Sequence, residues 1–146
     1  MEFVSKVIHA ITVTHPLHSL MVHFPIALTA AALFFFLLAL WRRNEALERA
    51  AFFNLALAAV SAIVAGITGY RDNIIRFGGA APLVNVKIPL AATLLILTTA
   101  TSLIRWKQRQ ALWTPKAVAL YLAAFVISFA LAATLGFIGG VILYGF

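Results

Sequence analysis

The sequence predicts an all-α, polytopic membrane protein: a four-helix bundle with a short interfacial helix at its N-terminus. Three observations lead there. Hydrophobic residues make up 64% of the 146-residue chain and charged residues only 10%, far below what a soluble surface of this size needs. Four long runs lack Asp, Glu, Lys and Arg: Leu17–Trp41, Ala50–Tyr70, Ile88–Ile104 and Ala117–Phe146. The basic residues that remain crowd the short segments between these runs.

The length fits one membrane domain, residues 1–146. A span needs roughly 20 apolar residues at ~1.5 Å each. The first, second and fourth runs satisfy this. The third is at the lower limit and is expected to begin a turn earlier, taking in Lys87. The spans are therefore placed at about 17–41, 50–70, 86–104 and 117–144. Met1 to Thr14 carries Glu2 and Lys6 and shows no cleavage site after an apolar stretch, so it does not read as a cleavable signal. Within it Phe3, Val7 and Ile11 share a helical face, with Val4 and Ile8 beside them, as in a helix lying on a membrane surface. A frayed terminus is the other reading.

Orientation follows from the loops. Arg42, Arg43, Arg49, Arg105, Lys107, Arg109 and Lys116 fall on one side, against Lys6, Arg71, Arg76 and Lys87 on the other. The positive-inside rule puts the first set in the cytoplasm and both termini outside. Trp41, Trp106 and Trp113 lie at the same inner boundary, where indoles anchor. The net charge of +7 is thus read as topology and headgroup contact, not as nucleic-acid binding. The chain has no cysteine, which excludes disulfides, thiolate metal sites and iron–sulphur clusters held by this chain.

The chemistry-bearing residues gather at the outer end. Helix one opens with His15-Pro16-Leu17-His18 and continues to His23-Phe24-Pro25. His15 and His18 share a face, and His23 lies ~12 Å deeper and ~80° around from His15. Pro25 cannot donate to the carbonyl of Met21, so this turn should face protein or a polar cavity. On the same side Tyr70, Arg71 and Asp72 close helix two, Lys87 opens helix three, and Gly139, Gly140 and Tyr144 end helix four. Intramembrane ionisable groups are costly and mark functional sites. The inner half shows no comparable set. His15, His18 and His23 are candidate metal or cofactor ligands, with an interfacial position in the headgroup layer as the alternative. Asp72 and Lys87 either pair with each other or touch one ligand. Gly66, Gly69, Gly136 and Gly140 read as close helix contacts, and Asn54 as an interhelical hydrogen bond.

The segment His15–Leu28, HPLHSLMVHFPIAL, resembles the first helix of a widespread bacterial membrane family known as domain of unknown function two-two-three-one. The resemblance continues through Gly66-Ile67-Thr68-Gly69-Tyr70-Arg71-Asp72, Phe77-Gly78-Gly79-Ala80, Lys87, and Gly136 to Tyr144. It implies a membrane and redox setting, because relatives occur joined to Rieske-type domains or beside respiratory genes. Many members carry a His early in helix three, where this chain has Lys87. A haem held between helices one and three would suit those relatives. Here helix three has no His, and one straight helix cannot reach both faces of a porphyrin.

The functional expectation is a small redox-associated module. His15, His18 and His23 would hold a transition metal ion or one axial position of haem b, with Lys87 on a propionate or on Asp72. The partners would be the lipid bilayer, a second copy of the chain, or a membrane or redox protein. Nothing resembles a nucleophile with its base, so no independent catalysis is expected. The alternatives are a proton- or ion-linked transport module using His23, Asp72 and Lys87, and a purely structural subunit of a membrane complex.

Overall fold

A computed structural model describes residues 2–10, 17–108 and 113–145. Its described residues form helices and the turns that join them. Helix α1 is Glu2–His9, α2 Leu17–Met21, α3 His23–Arg42, α4 Glu45–Phe77, α5 Val84–Lys107 and α6 Pro115–Tyr144. Helices α2 and α3 together make the first of four segments long and apolar enough to cross a membrane, Leu17–Arg42; α4, α5 and α6 are the others.

Local chemistry sets the helix ends. Asn44 caps α4 by accepting from the amides of Ala46 (2.8 Å) and Leu47 (3.2 Å), with Glu45 and Glu48 in the positive first turn. Thr114 caps α6 ahead of Pro115, whose missing N–H costs nothing there. Gly78, at φ 57°, ends α4 in the left-handed conformation. Asn73 then staples the following turn: its amide donates to the Gly79 carbonyl at 3.3 Å and its oxygen accepts from the Ala81 amide at 2.9 Å.

The first span runs through the α2–α3 junction with one hydrogen bond missing. Val22 keeps helical backbone angles (φ −66°, ψ −21°), and Pro25, buried, sits nearly one turn further on. A proline ring clashes with the carbonyl four residues before it and offers that carbonyl no donor. The Met21 carbonyl thus loses its helix donor, while the Val22 N–H on the His18 carbonyl at 3.0 Å and the Ile26 N–H on the Val22 carbonyl at 3.4 Å carry the helix past it. Below it, Thr29 returns its hydroxyl to the Pro25 carbonyl at 2.7 Å.

Consecutive helices pack side by side, α3 on α4, α4 on α5 and α5 on α6, and α6 closes the ring against α3. The short connections of up-and-down bundles produce this arrangement. Two ends result. One, the basic end, carries the α3–α4 and α5–α6 connections. The other, the histidine end, carries α2, the Gly-rich turn and the last turns of α6.

The core is thickest toward the basic end. Phe36 of α3 stacks on Phe125 of α6, centroids 4.6 Å apart. Phe52 of α4 meets Phe36, Phe125 and Tyr121 edge-on at 6.0, 5.1 and 5.0 Å. These rings bridge α4 to α6 across the bundle. Toward the histidine end the buried apolar side chains are mostly small, Ala59, Ala65, Ala132 and Pro25, with Leu94 the one large exception. Between the two regions lie three fully buried hydroxyls, Thr29, Thr98 and Ser128. The threonines bond their own helices, whereas the Ser128 hydroxyl has no partner among the described residues.

Helix α1 exposes every residue, including Phe3, Val4, Val7 and Ile8. It is held internally by a Lys6–Glu2 ion pair at 2.9 Å, one helical turn apart.

Candidate functional site

The histidine end is built around His18. Helix α2 leans on α4, and the backbone N–H of His18 donates to Asp72 Oδ2 at 2.9 Å. The His18 ring fills a notch made by Gly69: a Cβ there would lie 2.9 Å from His18 Nδ1. No residue but glycine leaves that space, so one missing side chain on α4 positions the imidazole of α2. Nδ1 meets the Ala65 carbonyl at 2.9 Å. A carbonyl only accepts, so Nδ1 carries the hydrogen and Nε2 is left with its lone pair.

Asp72 is buried, 6% exposed. Its Oδ1 accepts from Arg71 Nη1 at 2.9 Å, while Oδ2 takes the His18 amide. The expected Asp72–Lys87 pair is therefore not formed. Arg71, the next residue along, meets the carboxylate at no loop-closure cost, and α2 supplies the second donor.

Lys87, in the first turn of α5, is half-buried. Its Nζ lies 3.8 Å from where a Cβ of Gly139 would stand, and it is within electrostatic reach of His18. It makes no ion pair with any acid among the described residues. Tyr70 projects away from the bundle, 70% exposed.

His23 does not join His18. Its ring is exposed, and Nδ1 meets the Ser19 carbonyl of its own span at 2.6 Å, which again leaves Nε2 free. His15 lies outside the described residues. Among the described residues no three His, Asp or Glu side chains come together in a way that would hold a metal ion.

Two smaller expectations are corrected. Asn54 bonds the Ala50 carbonyl of its own helix at 2.9 Å rather than a neighbouring helix; the i−4 carbonyl is the nearest acceptor a mid-helix amide can reach. Of the four glycines expected at helix contacts, Gly69 meets His18 and Gly136 meets Ile26, whereas Gly66 and Gly140 have no described residue within 4 Å of a Cβ position.

The basic end holds a charged pair that the sequence reading passed over. Arg105 of α5 grips Glu48 of α4 with both Nε and Nη2, the latter at 3.1 Å. Glu48 is 1% exposed, and the guanidinium also lies over the Phe52 ring, 5.6 Å from its centroid. The expectation that this half carries no comparable set is thus overturned. Asn44-Glu45-Ala46-Leu47-Glu48 is a helix-start signature that puts Glu48 in a first turn. Counting only uncharged residues ended both helices before their charged turns.

Fold and composition together define a multi-pass α-helical membrane protein, with a fixed imidazole and a half-buried lysine at one end of its bundle. The family is then plain. The chain belongs to the family described as Predicted membrane protein (DUF2231), whose model matches residues 14–146. No curated protein and no solved structure matches the chain.

Proposed function

We propose that this protein is a redox-associated module of a bacterial cytoplasmic membrane, with both termini and the His18 end outside, and that His18 offers one imidazole ligand to a haem or a transition metal ion. One observation carries this reading. His18 is anchored through Nδ1–H to the Ala65 carbonyl, with its ring packed on Gly69 and Nε2 free. Ligating histidines are ordinarily held in this way, by a hydrogen bond from the nitrogen away from the metal.

The donor set suits one protein ligand, not two. His23 keeps its own Nε2 free but is exposed and bonded to Ser19, and α5 offers Lys87 where a second imidazole would stand. A haem bound at His18 would supply one-electron exchange. The chain's own part would be to orient the ring, to bring Lys87 toward an acidic substituent, and to dock on a redox partner or a second copy.

Proton- or ion-linked transport is less well supported. The rings of Phe36, Phe52, Phe125 and Tyr121 pack together across the bundle toward its basic end, with the Glu48–Arg105 pair beyond them, and no described ionisable group continues the path from His18 to them.

The test is an absorption spectrum with metal analysis of the detergent-purified chain. A Soret band or stoichiometric metal that is lost in His18→Ala, in a protein that still inserts, is the expected result. A colourless, metal-free wild-type protein from cells supplied with haem and iron refutes the reading and leaves a structural subunit as the alternative.

A further inference from the structure

The chain has four acidic side chains, and each is engaged. Glu2 pairs with Lys6 at 2.9 Å, Glu45 with Arg49 at 3.5 Å, Asp72 with Arg71 at 2.9 Å, and Glu48 with Arg105. Exposed lysines and arginines at the basic end need no counter-ion beyond water and headgroups. Lys87 differs, because it is half-buried and its ammonium lies along α6. No side-chain carboxylate in this sequence remains for it to acquire.

The neighbouring surface of α6 has an opening. Among the described residues packed against α6, Lys87 Nζ is the one atom within 4 Å of a Cβ position at Gly139, and none approaches that of Gly140. Both glycines are half-buried. Two adjacent missing side chains therefore leave a notch with an ammonium on its wall. A half-buried cation with no acid beside it among the described residues favours an anion over water.

We propose that Lys87 and the Gly139–Gly140 notch form a binding site for an oxyanion, a phosphate or carboxylate brought by a molecule from outside the chain. This goes beyond the cofactor reading and stands without it, because a lipid phosphate, free phosphate or the acid group of a cofactor presents the same chemistry. His18 is not a donor to this site, since its Nδ1–H is spent on Ala65.

The test uses the full chain in neutral detergent. Native mass spectrometry with phosphatidylglycerol against phosphatidylcholine reads the lipid source. Phosphorus NMR line broadening with inorganic phosphate reads the free anion. In at least one arm the wild type should bind, Lys87→Arg should bind alike, and Lys87→Met should bind roughly ten-fold or more weaker. Gly139→Asp keeps the lysine but places a carboxylate beside it, and should lose binding as Lys87→Met does. Its Cβ meets only ordinary contact at 3.8 Å, and a gel-filtration profile and helical circular dichroism equal to wild type separate loss of binding from loss of fold. Wild-type protein that binds neither probe overturns the proposal. So does phosphatidylglycerol binding that neither Lys87→Met nor Gly139→Asp weakens, which would assign it to the basic end. The absence of a Soret band in these samples would bear on the haem reading alone.

Discussion

Replacing Arg105 by Met should destabilise the bundle by about 3–5 kcal/mol, the usual cost of leaving a buried charge without its partner. The structure supports the upper part of that range. Glu48 is 1% exposed, and Arg105 satisfies both its carboxylate oxygens. The guanidinium face on Phe52 adds up to ~1 kcal/mol. The double variant Glu48→Met with Arg105→Met removes both charges and keeps most of the volume. It should recover most of the loss, because an apolar pair of similar size often equals a buried ion pair. Unfolding in mixed micelles of rising dodecyl sulphate fraction, followed by tryptophan fluorescence, measures all four corners of the cycle. A coupling energy of at least ~2 kcal/mol is expected. Single effects that add to within ~0.5 kcal/mol would show that the two residues act independently and would refute the argument.

Other consequences are testable in the same way. Gly69→Ala puts a methyl 2.9 Å from His18 Nδ1; the ring must leave the Ala65 carbonyl, and any cofactor occupancy should fall along with His18→Ala. Asp72→Ala removes the acceptor of the His18 amide and of Arg71, and should cost about 1–3 kcal/mol in the same micelle titration. Lys87→Met and Asp72→Asn should be additive, because Asp72 is committed to Arg71 rather than Lys87; strong coupling would contradict the pairing described. Cysteines replacing Asn44 and Phe77 should be labelled from opposite sides of intact cells, Phe77→Cys from outside; labelling of both from outside would end the proposed orientation.

The helices were legible because a hydrocarbon solvent imposes a one-dimensional rule: a long run without charge must span. Pro25 likewise announced the loss of the Met21 carbonyl's donor, a loss the helix absorbs while Val22 keeps its helical angles. The gathering of His18, Asp72 and Lys87 at one end followed from antiparallel connectivity alone. Their partners did not, because pairing depends on helix rotation and lateral order, which a 3.6-residue period does not supply for helices apolar all round. Asp72 thus chose Arg71 and the His18 amide. Glu48 and Arg105 were missed for a related reason. Each looked like a loop charge until α4 was seen to begin at Glu45 and α5 to end at Lys107. Gly69 was read as a helix contact, but not as a seat for an imidazole.

The uneven core has a consequence for how the bundle opens. Large interlocked rings and a two-pronged ion pair fasten one end, while mostly small side chains and the polar contacts of His18 and Asp72 fasten the other. Free energy of local opening should therefore be graded along the bundle axis. Amide exchange in lipid nanodiscs should be slowest around Phe36, Phe52 and Phe125 and fastest on either side of Val22, where few apolar contacts resist separation. Such a gradient would let the His18 end part from its neighbours to admit a large planar or lipidic molecule while the rest of the protein stays assembled.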